Sequence, residues 1–388
     1  MNRLIFVLTV AMLVVVAECG SFSSKDKFAV KFTDLKISTG SAPGSVEIAD
    51  FNGDGNGDIV VANEQSGNAT VLLGDGKGKF VPSKGSPFAV GQLPNDIAVG
   101  DFNRDGKPDL AFANHEQKHM TILLGDGQGG FAPAPKSPFA VESRPHVHGV
   151  TAADYNGDGN FDLATDSWAD EQVILLFGDG KGDFKSSVTF LKVGKRPYQR
   201  LRSADVNGDK YPDIITTNME GNDVSVLLGD GKGGFKSADS TFACGDSPFN
   251  FAIGDVNKDG KSDLAIVNSP GSTAEGRGKD GLTVLLGDGD GNFATLTGSP
   301  FAAGRQPNRV AIGDVNGDGV NDIAVSNPDE NKLRVFLMKA KNGIASSLVL
   351  SINGNPKGVA ISDLNGDRKA DIVITNNGEN IVTVMFSK

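Results

Sequence analysis

Short apolar runs rich in Val, Ile, Leu and Phe alternate along this chain with clusters of Gly, Asp, Asn and Pro. Runs this short and β-branched read as strands bounded by turns. After residue 20 no stretch carries a helical period of useful length. Val46-Glu47-Ile48-Ala49 and Ile59-Val60-Val61-Ala62 are typical, and they flank "DFNGDGNGD" at residues 50–58. Asp50, Asp54 and Asp58 take the first, fifth and ninth positions of that loop, with Asn52 between and Gly55 after the middle. A chain arranges hard oxygen donors around Ca²⁺ in this way. A helix–loop–helix site would need a bidentate Glu at position 12, which is Val61 here. The loop is therefore read as a calcium hairpin between two strands.

The motif recurs as "DFNRDGKPD", "DYNGDGNFD", "DVNGDKYPD", "DVNKDGKSD", "DVNGDGVND" and "DLNGDRKAD", starting at Asp101, Asp154, Asp205, Asp255, Asp314 and Asp363. The seven copies step by 51, 53, 51, 50, 59 and 49 residues. A period of this size means a solenoid, a propeller or an array. A second motif, of the form "LGDGKGKF" (73–80), follows five of the loops and reads as a tight hairpin turn needing positive φ. No ligand is assigned to it. A proline segment precedes each later loop, as in "QLPNDIAVGD" and "KRPYQRLRSAD". Each repeat then holds four strands, A to D, with the oxygen-rich loop between A and B. Seven four-stranded repeats predict an all-β fold, a seven-bladed propeller of antiparallel blades. The last repeat stops at its strand C, "IVTVMFSK", and the orphan strand "FAVKFTDLKIS" (28–38) is expected to supply the missing strand and latch the ring.

Glycine is 51 of 388 residues, without a collagen period. The formal charge of −11 argues against nucleic acid as a partner, and the oxygen-rich loops account for much of it. Residues 1–17 read as a signal peptide, 18–27 as a linker and 28–388 as the propeller, so secretion to the outside or the periplasm is expected. Cys19 raises a lipoprotein option, against which Glu18 stands where a small residue is wanted. Cys244, in "FACG", fills a place taken by Val90 and Ala303 elsewhere and reads as a small buried hydrophobe. No transmembrane segment follows residue 20, and a monomer is expected.

"DxNxDGxxD" paired with "LGDGxGxF" resembles the FG-GAP/VCBS repeats of integrin α-subunit propellers and of many exported bacterial proteins, over about residues 28–388. The resemblance implies Ca²⁺ at each hairpin, in up to seven sites. It does not imply one activity, since adhesins, lectins and enzymes share such scaffolds. Side-chain oxygens at positions one, three, five and nine and the carbonyl of position seven would be the ligands. In the first three loops these are Asp50, Asn52, Asp54, Asn56 and Asp58; Asp101, Asn103, Asp105, Lys107 and Asp109; and Asp154, Asn156, Asp158, Asn160 and Asp162. The fourth and fifth loops supply Asp205, Asn207, Asp209, Tyr211 and Asp213, then Asp255, Asn257, Asp259, Lys261 and Asp263. The last two supply Asp314, Asn316, Asp318, Val320 and Asp322, then Asp363, Asn365, Asp367, Lys369 and Asp371. Lys210 and Arg368 replace Gly at position six, which predicts weaker fourth and seventh sites.

Because strands alternate in direction, the B–C and D–A loops share the face opposite the oxygen-rich loops, and less repetitive residues gather there. All four histidines, His115, His119, His146 and His148, fall on it. Arg144, Trp168, Arg196, Tyr198 and Arg200 are expected around them, with Asn95, Phe249, Asn250, Asn308, Arg309 and Lys357 bordering the channel mouth. The face is read as binding a glycan or an extracellular protein, with Trp168 and Tyr198 as stacking platforms. A polysaccharide lyase acting on an acidic glycan is one alternative, with His146, His148, Tyr198, Arg144 and Arg200 as catalytic candidates. A transition-metal site built on the histidines is the other.

Overall fold

A computed structural model describes residues 30–237, 241–272, 279–341 and 343–388; the segments expected to be a signal peptide (1–17) and a linker (18–27), with Cys19, lie outside them. Each loop motif is the turn between an inner strand and a second strand whose six residues are all buried, from Asp58–Asn63 in blade 1 to Asp371–Asn376 in blade 7. Burial on both faces explains why these second strands are nearly continuous apolar runs. The inner strands, such as Pro43–Ala49 and Pro94–Gly100, pack side by side around a central channel. Third and fourth strands complete seven antiparallel sheets, and the fourth strand is split in two in blades 1, 2 and 4. Two short 3₁₀ turns are the helical elements among the described residues, and none there is long and apolar enough to cross a membrane.

Ring closure is visible in strand pairing and in the core. Phe32–Ser38 pairs antiparallel with Ile381–Ser387, so the N-terminal strand is the outer strand of blade 7. Seven hydrophobic clusters each join two adjacent blades, and one of them links Val373, Val382 and Val384 of blade 7 to Val46, Ile59 and Leu72 of blade 1. The second residue of each loop motif plugs the next interface. Phe51 meets Phe131 edge-on at 5.6 Å, and Tyr155 meets Phe235 at 5.7 Å. Cys244 is buried in one such cluster, as a small hydrophobe should be.

The Gly-Asp-Gly turns tie neighbouring blades together on the loop face. Gly129 N–H donates to Phe51 O at 3.1 Å, and Gly182 N–H donates to Phe102 O at 2.9 Å. Gly129 has φ +84°, a conformation that glycine adopts without strain. In blades 1, 2, 4, 5 and 7 the inner strand begins at its proline. In blades 3 and 6 regular pairing starts only at Val150 and Val310, beyond Pro145 and Pro307. These irregular segments carry His146, His148, Asn308 and Arg309, and in blade 6 Asn308 N–H still donates to Ser326 O at 2.9 Å.

Candidate functional site

The ninth-position aspartates have a structural task that the spacing did not reveal. In every blade one carboxylate oxygen accepts the N–H of the second loop residue and the other accepts an N–H from the third strand, at 2.7–3.1 Å. Burial, followed by the charges of Asp54 and Asp50, raises Asp58 to about 6. Five equivalents behave alike, and Asp322 reaches about 7. The donor set fits a hard cation: like charges converge, and each carboxylate keeps lone pairs beyond its two N–H bonds. Lys210 and Arg368 sit at φ +74° and +70°, the left-handed conformation expected where Gly is replaced.

On the opposite face three of the four histidines converge. His115 leaves the second strand of blade 2 at the start of its B–C loop, while His146 and His148 stand on the irregular entry to blade 3. One ligand nitrogen from each lies within 4.8 Å of the others. His146 Nε2 and His148 Nε2 are 3.1 Å apart, and the His115 ring centroid lies 4.6 and 4.8 Å from theirs. His148 is fully buried, and its Nδ1 meets Asp166 Oδ2 at 3.0 Å. That contact makes Nδ1 the protonated nitrogen and turns the Nε2 lone pair toward the cluster. Asp166 is held in turn by Gly149 N–H at 2.8 Å. Burial, reinforced by His148 and His146, lowers His115 to about 4, and burial also lowers His146. A neutral imidazole at His115 or His146 keeps one nitrogen lone pair for a ligand.

The aromatic residues stand beside this cluster. Tyr198 has its ring 4.3 Å from that of His148, Trp168 lies 6.3 Å from Tyr198, and the Arg196 guanidinium stacks over both at 4.7 and 5.3 Å. Trp168 Nε1 is buried without a partner. Asn95 supports the cluster from below, donating to His148 O at 2.8 Å. His119 instead begins a third strand and pairs with Ala140, apart from the other three. Arg144 is taken up by Asp170 on the rim.

Arg200 lies deeper, in the channel, where it and Arg202 clasp buried Asp96 and half-buried Glu47 at 3.0–3.3 Å. Burial, then the nearby Arg202, lowers Arg200 to about 10. Asn250 and Arg309 are buried on the entries to blades 5 and 6, and Lys357 is ion-paired with Glu64.

Asp166, Asp96, Glu47 and Arg202 were not among the sequence candidates. A signal existed for Asp166: the fifth residue of the second strand is Ala62, Ala113, Thr217, Val267, Ser326 or Thr375 in the other blades. An acid at that buried place is the exception to the repeat.

These features define a seven-bladed β-propeller with repeated oxygen-rich hairpins on one face and an imidazole cluster on the other. The chain belongs to the FG-GAP-like repeat family, which matches residues 50–112, 101–165, 205–266, 271–325 and 314–374. No curated protein sequence matches it. Among solved structures, BBS1N in complex with ARL6DN superposes with a TM-score of 0.61 at 12% identity, over 92% of this chain and 96% of that one. An Agrocybe aegerita lectin that recognises non-reducing terminal N-acetylglucosamine gives 0.54 at 19%, covering 87% and 86%. Virginiamycin B lyase from Staphylococcus aureus gives 0.57 at 13%, covering 92% and 99%. At these identities the likeness is one of fold alone.

Proposed function

We propose that this protein is an exported, calcium-stabilised propeller that binds an extracellular ligand at a three-histidine transition-metal centre, on the face opposite the calcium loops. The convergence of His115, His146 and His148, with Asp166 fixing the tautomer of His148, carries the reading. Zn–N bonds of about 2.0–2.1 Å set tetrahedral nitrogens roughly 3.3 Å apart. The His146–His148 pair stands at 3.1 Å. Three protein nitrogens leave a fourth position for a ligand oxygen, the pattern of working rather than structural zinc sites. Imidazoles suit Zn²⁺ or Cu²⁺, whereas the carboxylate loops suit Ca²⁺, so the two faces sort two kinds of metal.

The ligand is a glycan or an extracellular protein surface. Trp168 and Tyr198, with the Arg196 guanidinium stacked over both rings, form an aromatic and cationic patch beside the histidines that a sugar or a peptide would meet. The lyase reading draws on the same groups, with the Tyr198 ring 4.3 Å from His148 and so beside any ligand at the metal. An assay for unsaturated uronate products separates it from simple binding.

The test is competition for Zn²⁺ against a chromogenic chelator, beside a glycan array screened with zinc-loaded and zinc-stripped protein at constant Ca²⁺. One equivalent should bind to the wild type and none to His146→Ala or His148→Ala. Array binding left unchanged by zinc removal would sink the metal-centred reading.

A further inference from the structure

A groove of about 610 Å³ opens on the histidine face, at the outer end of the interface between blades 2 and 3. That volume is in the range of sites that take a small ligand or a short stretch of chain. On the blade 3 side stands Phe190, 46% exposed and one of four large hydrophobic side chains so placed among the described residues. It pairs across the strands with Ile174, which packs into the core shared with blade 2, so the Phe190 ring faces blade 2. Ala140 and Val141 line the groove from blade 2, and Ser143 and Arg144 line the end where the chain turns inward.

Two of the lining residues break the repeat. Val90, Val141, Val193, Cys244 and Ile352 each donate an N–H to the residue just before the third strand of their blade, which puts the outer strands in register. Three places earlier, where blade 3 has Phe190, the other four have Pro87, Pro138, Thr241 and Val349. One place later, where blade 2 has Glu142, the others have Gly91, Gly194, Gly245 and Asn353. Glu142 and Lys118 are both exposed at the rim, and neither forms an ion pair among the described residues. The remaining polar groups are engaged. Arg144 is paired with Asp170, which also accepts from Ser167 Oγ at 2.7 Å, and Ser143 Oγ donates to His146 O at 2.7 Å. Half-buried Gln172 keeps its side-chain amide open.

We propose that this groove docks an extended peptide segment of a partner protein, with an apolar side chain seated between Phe190 and Val141. An acidic residue of the segment would meet Lys118 and a basic one Glu142. An apolar cleft rimmed by one open cation and one open anion complements a chain that carries both charges and no net charge. A sugar ring would need several fixed hydrogen-bonding groups around it, and those present are already bonded to one another. The Gln172 amide suits a peptide unit, since it can donate to the carbonyl and accept the N–H. From Ser143 the groove wall continues through Pro145 to His146, so a docked chain that runs inward passes the histidine cluster. This docking site rests on the reading of the histidine face as the binding one, and not on the metal.

The experiment probes an array of heptapeptides with calcium-loaded, zinc-stripped protein at constant ionic strength. The peptides hold Leu, Phe or Ser at the centre and every combination of Glu, Lys and Ser on either side. Peptides with an apolar centre flanked by one Glu and one Lys should bind best, in one order of the two charges. Phe190→Ser should weaken that binding by roughly tenfold or more while leaving the melting temperature unchanged, because the ring is exposed. Glu142→Gly, which restores the residue of blades 1, 3 and 4, should remove the preference for Lys. Lys118→Glu combined with Glu142→Lys should favour the reverse order of charges. His148→Ala should bind the peptides as the wild type does, which separates this site from the metal centre. Binding retained in Phe190→Ser, no preference for an apolar centre, or binding that requires zinc would each overturn the groove as the docking site. Binding of methyl glycosides instead, lost in Phe190→Ser, would assign the groove to a sugar and overturn the peptide.

Discussion

His148 offers Nε2 to its neighbours because Asp166 occupies Nδ1, and Asp166 is itself fixed by backbone N–H groups. Second-sphere carboxylates of this kind commonly contribute 10–100-fold to metal affinity. Asp166→Ala should therefore weaken Zn²⁺ binding by about 10–100-fold, measured by chelator competition, with Asp166→Asn falling between it and the wild type. Asp96 makes a different prediction. Burial would raise its pKa, but Arg202 and Arg200 outweigh burial and hold it below the ordinary 3.8. A carboxyl depressed by folding stabilises the protein above its unfolded pKa, and that contribution is lost as pH falls through the folded value. Asp96→Asn should cost about 3–5 kcal/mol in denaturant unfolding near neutral pH, because it leaves buried guanidiniums unpaired. The difference from wild type should narrow as the pH drops below 3.8, the unfolded reference value. A penalty that does not depend on pH would argue against this ion cluster.

At the scale of elements, the strands and their turns were legible because the repeat states them seven times. Phe51, Phe102 and Tyr155 follow the first Asp of their loops, and each plugs the next blade. The departures were harder to read. Reading by consensus draws the eye to what recurs, and Asp166 matters because it breaks the repeat. The irregular entries of blades 3 and 6 were likewise hidden, since Pro145 and Pro307 look like the prolines that begin regular strands elsewhere. The outer strand of blade 7 gives the element-scale prediction. Leu35 and Ile37 pack onto the blade 7–blade 1 core, and the strand pairs along its length with Ile381–Ser387. Deleting residues 32–38 should bare that strand edge and open the ring. Size-exclusion chromatography should find aggregates or a lower melting temperature; an unchanged monomer would contradict closure by this strand.

For the whole molecule, no local pattern could place Glu47, Asp96 and Arg202 in one cluster. They come from blades 1, 2 and 4 and meet only because seven blades close around a channel. The histidines were legible as residents of one face, but the selection of three and the exclusion of His119 needed the path of each loop. The proposed ring of calcium ions acts on the opposite face. Each ion bound only by the folded state adds about 1.4 kcal/mol per tenfold excess over its Kd. Chelating Ca²⁺ should lower the melting temperature by many degrees, with the fourth and seventh loops losing their ions first. An identical melting curve before and after verified ion removal would contradict calcium stabilisation.

The proposed transition metal sits on the opposite face, between three imidazoles. Crystals of the calcium-loaded protein equilibrated with Zn²⁺ and measured on both sides of the zinc absorption edge test it most directly. One strong anomalous peak bounded by His115, His146 and His148 is expected, absent from crystals of His148→Ala. Anomalous density confined to surface carboxylates, with none among the three imidazoles, would contradict it.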